Sequence, residues 1–194
     1  MFSVNIDKIV TMTDKERQCY NELVETLKTE LRSKKCVAII NNGISAFKLA
    51  YSFVETGDRT IFIDGDIMSE IFLGKYRLGK DLRGVTDYMR GTGRAHDLIC
   101  KTNNSDLDIV FTGVLDDGIV SDAEAAMMQE LISIFSSEYD RIVVSSDAEG
   151  RVAKYCDGTV VMYNESEFGE LAAQNYTEEL ENNKCNVLGV VINE

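Results

Sequence analysis

The chain has 194 residues, of which 44% are apolar and 27% charged, and these proportions are typical of one folded globular domain. They exclude a disordered tail protein and a disulfide-stapled miniprotein. Twenty basic residues against 33 acidic ones give a net charge of −13, which repels a phosphate backbone, so we expect no nucleic acid as partner.

The cysteines and the apolar runs indicate the cellular compartment of the protein. The five cysteines are scattered and form no C-x-x-C pair, so they indicate neither a disulfide framework nor a zinc site. The longest apolar runs fall short of the ~20 residues that a membrane span needs. We therefore expect a cytoplasmic protein with a single domain over residues 1–194.

The first predicted element is a helix over about residues 13–33. Thr13 and Glu16 have the spacing of a capping box, in which each side chain accepts a hydrogen bond from the other residue's backbone N–H. The apolar residues that follow recur at helical spacing on one face: Tyr20, Leu23, Val24, Leu27 and Leu31. The helix is therefore predicted to dock on the rest of the domain.

Short apolar runs predict six strands of one sheet, at 36–40, 60–64, 107–111, 141–144, 159–162 and 187–192. Helices are predicted between them, over about 44–55, from Ser121 onward and over about 167–180. The last of these helices is expected to turn four apolar residues inward: Phe168, Leu171, Ala172 and Leu180. This alternation is typical of a three-layer, doubly wound α/β domain with a mainly parallel sheet, whose ligands bind at the carboxyl ends of the strands.

Six segments follow one another in an order that is informative as a set. They are Leu-Lys-Thr-Glu-Leu at 27–31, Gly-Asp-Arg-Thr-Ile-Phe-Ile-Asp-Gly-Asp at 57–66, Arg-Gly-Val-Thr-Asp-Tyr-Met-Arg-Gly at 83–91, Glu-Tyr-Asp-Arg-Ile-Val-Val at 138–144, Lys-Tyr-Cys-Asp-Gly at 154–158 and Val-Leu-Gly-Val-Val-Ile-Asn at 187–193. In order and spacing they resemble the cytoplasmic tyrosine kinases of bacterial capsule and exopolysaccharide systems, which are P-loop ATPases related to the septum-positioning and plasmid-partition ATPases. The resemblance covers nearly the whole chain and implies a P-loop NTPase-like fold.

The segment after the first buried strand lacks the phosphate-binding loop of that family. Such a loop wraps phosphates with consecutive backbone N–H groups, one lysine and a serine or threonine. Here Asn41, Asn42 and Gly43 lead directly into a predicted helix, without a G-x-x-x-x-G-K-[ST] pattern. Lys48 falls within that helix, beyond the turn where the phosphate-binding lysine would lie. We interpret residues 41–43 as a strand-to-helix turn and expect no bound cofactor there.

The resemblance also assigns roles to residues at two strand ends. Asp64 and Asp66 match the Asp-x-Asp that in the kinases helps to hold magnesium and position the acceptor hydroxyl, so they are candidate metal ligands, or else a solvated strand end. The family's second strand-end aspartate, which anchors the metal shell or the attacking water, is replaced by Ser145. A hydroxyl cannot replace the charge of a carboxylate toward a hard cation. Asp147 could reach the site only if the strand end were re-registered.

Other candidate motifs are weaker. His96 is the only histidine, which excludes a multi-histidine metal site, and it is predicted to lie in an exposed loop. Gly91 and Gly93 form a G-x-G too far past the first strand for a dinucleotide site. The tyrosine-rich tail that the kinases phosphorylate on one another has no counterpart, since the last two tyrosines are Tyr163 and Tyr176.

These losses favour a catalytically degenerate kinase-like protein that acts through interaction. The resemblance implies a membrane-bound polysaccharide chain-length regulator or an active kinase homologue as partner, with a cytoplasmic location that becomes peripheral to the membrane through that partner. The alternative is an active ATP-dependent tyrosine kinase or ATPase that uses ATP and Mg²⁺ with Asp64, Asp66 and an unorthodox phosphate site. A third hypothesis is a small-molecule sensor in the cleft at the strand ends.

The first helix also carries an expectation about assembly. In the kinases a Glu-x-x-Arg-x-x-Arg stretch helps to close a ring of subunits, and the alignment places Glu22, Glu25 and Lys28 at those positions. An arginine-to-glutamate reversal at a subunit contact turns attraction into repulsion. We expect a monomer or a small oligomer, unless Glu25 merely solvates an outer helical face.

Overall fold

The computed structural model describes residues 3–66, 82–113, 121–167 and 169–193. Its strands are β1 Ser3–Val4, β2 Cys36–Ile40, β3 Thr60–Gly65, β4 Ile99–Thr102, β5 Leu107–Val110, β6 Arg141–Ser146, β7 Gly158–Asn164 and β8 Val187–Asn193. Its α-helices are α1 Asp14–Leu31, α2 Gly43–Glu55, α3 Val85–Met89, α4 Asp122–Ser136 and α5 Glu170–Asn182. Short 3-10 turns occupy Ala95–Leu98, Ala153–Tyr155 and Glu165–Glu167.

The strands form one mostly parallel sheet in the order β1-β4-β5-β3-β6-β2-β7-β8. All neighbouring pairs are parallel except β4 and β5, which are antiparallel. The six strands predicted from the apolar runs are present, but the prediction of six was wrong, because the described residues contain eight. The two that were missed, β1 and β4, lie together at one end of the sheet, where β1 pairs with β4.

Helices cover both faces of the sheet, and alternate residues of each central strand enter different cores. On β3, Ile61 and Ile63 pack with α3 and α4, whereas Phe62 packs with α1 and α2. This is the period-2 alternation of a strand buried on both sides. It explains why the central strands are continuous apolar runs in the sequence.

The predicted start of α1 is confirmed. Thr13 Oγ1 accepts a hydrogen bond from the Glu16 N–H at 3.2 Å, and Glu16 Oε2 accepts one from the Thr13 N–H at 2.8 Å. The inward face carries buried Tyr20, Val24 and Leu27. The helix therefore docks on the sheet as its pattern predicts, ending two residues before the predicted limit of 33.

Of the residues predicted to face inward on the last helix, Leu180 is confirmed as buried, but Leu171 and Ala172 were predicted wrongly. Leu171 is 72% exposed and Ala172 is also exposed, while Ala173 and Leu180 are buried. Residues 173 and 180 are two helical turns apart and share one face, so this stripe, and not the one through Leu171, meets the sheet. Phe168 lies outside the described residues.

No helix within the described ranges combines the length and the apolar character that crossing a bilayer requires.

Candidate functional site at the carboxyl ends of the strands

The connection between β2 and α2 consists of two residues, Asn41 and Asn42. Asn41 has a left-handed backbone with φ of 73°, which asparagine tolerates better than most residues. Asn42 caps the helix: its Oδ1 accepts the Ser45 N–H at 2.9 Å and its carbonyl accepts the Ala46 N–H at 2.9 Å. Part of the donor capacity of the first turn, which in a phosphate-binding loop faces the ligand, is therefore satisfied within the chain.

Lys48 lies in the second turn of α2, as predicted, and points to the first helix. Its Nζ is 2.8 Å from Glu16 Oε1, and its side chain is largely buried. This hydrogen bond, more than any other contact, lowers the pKa of Glu16 to about 2. The lysine thus joins α1 to α2.

A tyrosine from α5 lies against the same turn. The Tyr176 side chain hydrogen-bonds that of Asn41, and its hydroxyl donates to the Ala148 carbonyl. Burial raises the pKa of Tyr176 to about 12, and its ring packs edge-on against Tyr163. A cavity of about 360 Å³ remains beside the turn, and it is lined by Asn41, Asn42, Met162, Tyr163 and Asn164.

Asp64, near the carboxyl end of strand β3, is the most buried acid of the predicted cation site. It is 2% exposed, and its Oδ1 accepts a hydrogen bond from the Ser145 hydroxyl at 2.9 Å, because Asp64 and Ser145 are partners in the β3–β6 register. Its Oδ2 has no hydrogen-bond partner among the residues that the structure describes. Burial raises the pKa of Asp64 to about 7, and the nearby charge of Asp66 acts in the same direction.

The two other acids at this edge have different surroundings. Asp66 follows β3 and is half-buried. Asp147 follows β6 and is 5% exposed; its Oδ1 accepts the Arg151 N–H at 3.1 Å, and burial raises its pKa. The side chain that hydrogen-bonds Asp64 from β6 is thus Ser145, while Asp147 bonds within its own loop. The sequence placed Asp147 in that loop but did not indicate that it is buried.

Residues 83–86 lie beside the carboxyl end of β5 and belong to the same candidate site. The Val85 and Thr86 N–H groups donate to the carbonyls of Phe111 and Thr112 at 2.9 and 3.0 Å. A Cβ on Gly84 would lie 2.2 Å from the Gly113 nitrogen, so only glycine allows this close approach. Thr112 in turn donates its hydroxyl to the Asp64 carbonyl at 3.1 Å.

The sequence analysis did not predict two of these contacts, that of Thr112 with Asp64 and that of Tyr176 with Asn41. Thr112 follows a predicted strand directly, and strand ends are where such folds place ligands, so its position was a usable signal. Tyr176 gave none, because its contact with Asn41 depends on how α5 is rotated.

His96 and the G-x-G lie elsewhere. His96 is in the Ala95–Leu98 turn, largely exposed as predicted, and its Nε2 is 2.6 Å from Oε1 of Glu138. Glu138 lies in the segment that precedes β6. Gly91 has a φ of 71°, as expected of a residue that bends a loop.

Where a P-loop would surround a triphosphate, the chain has the two residues Asn41 and Asn42 between β2 and α2. For a divalent cation, Asp64 offers one buried oxygen, with Asp66 nearby. Across the ranges that the structure describes, no three His, Cys, Asp or Glu side chains are grouped to hold a metal ion.

Comparisons with known proteins agree with this architecture. The sequence is 22% identical over 200 residues to the tyrosine-protein kinase CpsD of Streptococcus agalactiae, covering 97% of this chain and 87% of that kinase. The kinase domain of Escherichia coli tyrosine kinase ETK matches with a TM-score of 0.73 and 15% identity, over 89% of this chain and 74% of that one. The septum site-determining protein MinD of Pyrococcus horikoshii, complexed with Mg-ADP, matches with a TM-score of 0.61 and 17% identity, over 81% of this chain and 69% of that one.

The fold is therefore that of the P-loop NTPase-like α/β proteins, as predicted. Among them, the homologues of this chain are bacterial capsular tyrosine kinases and MinD-type ATPases. No protein-family profile matches the chain.

Proposed function

We propose that this chain is a catalytically degenerate relative of the capsular tyrosine kinases and acts as an interaction or regulatory module in capsule or exopolysaccharide biosynthesis. The observation that carries the proposal is the two-residue connection between β2 and α2. Phosphoryl transfer depends on electrostatic positioning of the phosphates. Here Asn42 caps the helix at that place, and Lys48 is paired with Glu16.

The strand end supports the same proposal. Ser145 presents a neutral hydroxyl to Asp64, and the buried carboxyl of Asp64 has a pKa near 7. A carboxyl that holds its proton near neutral pH is a poor ligand for Mg²⁺. The partner would then be a membrane-bound polysaccharide chain-length regulator or an active kinase homologue, and the loops at this edge would form the contact surface.

The decisive experiment is isothermal titration of the purified protein with ATP and with ADP in the presence of Mg²⁺. We expect no binding tighter than about 100 μM, which corresponds to ~5.5 kcal/mol. An active capsular kinase titrated under the same conditions is the positive control. Tighter binding to this chain would overturn the proposal.

One observation favours the alternative, an active ATP-dependent kinase or ATPase. Within the described part of the chain, the buried Asp64 Oδ2 has no hydrogen-bond partner, so it could accept a cation. In that case Mg²⁺ should raise the melting temperature of the wild type and leave that of Asp64→Asn unchanged. Under the proposed function Mg²⁺ shifts neither.

A further inference from the structure

Strand β8 ends the sheet, and its outer side is unpaired among the described residues. Its inner side pairs with β7 over six register positions, from Thr159–Val187 to Asn164–Asn193, and the register shifts at Leu188, so the regular part of the strand begins at Gly189. Each residue of an edge strand directs its N–H and C=O either to the neighbouring strand or away from the sheet. The outer side of β8 therefore presents a row of backbone donors and acceptors.

The edge strand β8 lacks the side chains that commonly block pairing with a further strand. Residues 187–193 read Val-Leu-Gly-Val-Val-Ile-Asn and contain neither a charge nor a proline. Val190 is 37% and Ile192 44% exposed. The register places them beside Val161 and Tyr163, which pack in the core under α5, so both lie on the α5 face of the sheet.

The negative charge of helix α5 indicates which kind of partner could pair with β8. The helix contains four glutamates, all of them exposed, and neither lysine nor arginine: Glu170, Glu178, Glu179 and Glu181. If a second copy paired its β8 with this one about a two-fold axis, the two α5 helices would lie side by side on one face. Their like charges would repel, and a net charge of −13 on each chain adds to the repulsion.

We infer that β8 binds an extended segment of another protein, which adds to the sheet as a ninth strand. The segment carries apolar side chains at alternate positions, over Val190 and Ile192, and lysine or arginine where it faces α5. Backbone hydrogen bonds give such a complex its affinity, and the alternate side chains give it its specificity. The inference goes beyond the function proposed above and does not depend on whether nucleotide binds.

The test uses a fluorescein-labelled peptide, Lys-Lys-Val-Thr-Val-Thr-Val-Thr-Lys-Lys, and measures its anisotropy with the full chain at moderate salt. A second peptide of the same sequence is N-methylated at every other residue on one edge, and a third at the alternate residues. We expect saturable binding of the first peptide. At least one methylated peptide should bind tenfold or more weakly, or ~1.4 kcal/mol, because methylation removes the donors that pair with β8.

Two protein variants separate strand pairing from simple charge attraction. Ile192→Lys should weaken binding at least tenfold, whereas Leu171→Lys makes the same charge change at an exposed position of α5 and should weaken it less than threefold. Circular dichroism verifies that both variants are folded. The inference is wrong if the peptide does not bind, if all three peptides bind equally, if the two variants weaken binding equally, or if light scattering shows a dimer that Ile192→Lys dissolves.

Discussion

The carboxyl of Asp64 is shielded from water and receives a hydrogen bond from the Ser145 hydroxyl. Burial disfavours the charged form of the carboxyl, and the neutral groups of Thr112 and Ser145 do not offset this effect, so the proton is held up to a pH near 7. In the unfolded chain an aspartate loses its proton near pH ~3.9. Between these values the folded state binds more protons than the unfolded state, so this residue makes stability fall as pH rises.

Asp64→Asn should remove that dependence. The free energy of unfolding of the wild type, relative to the variant, should decrease between pH 4 and 7 and level off above pH 7, with a total change on the order of 4 kcal/mol. Urea denaturation at pH 4, 5, 6, 7 and 8 measures it. Asp106→Asn, which changes an exposed carboxylate, is the control and should run parallel to the wild type. Parallel curves for Asp64→Asn would contradict the protonation argument.

Lys48 gives a second prediction for a single residue. Because its Nζ pairs with Glu16 across two helices, Lys48→Ala should lower the free energy of unfolding, by the pair's contribution of up to about 1 kcal/mol plus the lost packing of its buried stem. Lys48→Met keeps most of the stem, so it should lose only the contribution of the pair. Any residual affinity for ATP should be the same in wild type and Lys48→Ala, and a tenfold drop would place Lys48 at a phosphate.

At the scale of elements, the start of α2 is the feature on which the proposed function depends. Asn42 supplies the acceptor that the first turn needs, so the helix is complete without a ligand. If this helix start bound phosphate, an aspartate in place of Asn42 would not stabilise the protein, because its carboxylate and the phosphate would compete for the same N–H groups.

Substitutions at Asn42 follow from this. Asn42→Ala should cost about 1 kcal/mol of unfolding free energy, since it removes the cap, whereas Asn42→Asp keeps the acceptor and should be as stable as the wild type or more so. Thermal melts of the three proteins at pH 7 suffice. A large loss of stability in Asn42→Asp, similar to that of Asn42→Ala, would show that the cap does not work as described.

Helix α5 allows a test of which face meets the sheet. Leu180→Ala should destabilise by about 2–5 kcal/mol because it leaves a cavity in the core. Leu171→Gln should change stability by less than about 0.5 kcal/mol, since the side chain is already in water. Denaturant titrations of both variants make the comparison, and equal losses would mean that the helix is rotated.

The elements differ in how well their sequence predicts them. Strands β2, β3 and β6 are buried on both faces and appear in the sequence as continuous apolar runs, so their positions can be predicted from the sequence pattern alone. Strand β4, Ile-Cys-Lys-Thr, is mostly half-buried and has no such run, and β1 has two residues, so neither gives a periodic signal. Leu171 and Leu180 are both apolar, but nine residues place them on opposite sides of α5, so only one of them can face the sheet. Packing determines that it is Leu180.

The candidate site was predictable to the same limited extent. The interpretation of residues 41–43 as a short connection followed from the spacing between an apolar run and a helical pattern, and α2 does begin at Gly43. The hydrogen bond between Ser145 and Asp64 was not predicted. The burial of Asp147 and the contact of Tyr176 with Asn41 arise from elements far apart in sequence, so nothing local reports them.

At the scale of the whole molecule, the outer face of α1 bears on assembly. Glu22 and Glu25 are exposed, whereas Lys28 is turned toward Asp58, with Nζ 3.1 Å from its carboxylate. The only cation among these three positions is thus engaged within its own chain, which leaves two acids on the open face. Like charges on facing copies of this helix would repel.

We therefore expect a monomer or a small oligomer in solution. Multi-angle light scattering after size-exclusion chromatography, at low and at moderate salt, gives the mass directly. A ring of many subunits that persists when salt screens the surface charges would contradict the expectation. Glu25→Arg should leave the mass unchanged if this face makes no subunit contact.

Under the proposed function, the two-residue turn between β2 and α2 also determines how a P-loop could be engineered into this chain. Substituting side chains at Asn41 and Asn42 changes the chemistry of the turn but not the length of its backbone, and a cradle is made mainly of backbone N–H groups. The gain of such a cradle therefore requires an insertion of several residues at this point. Because surface connections tolerate added length at small entropic cost, the rest of the sheet should accept one, and no series of point mutations provides the same result.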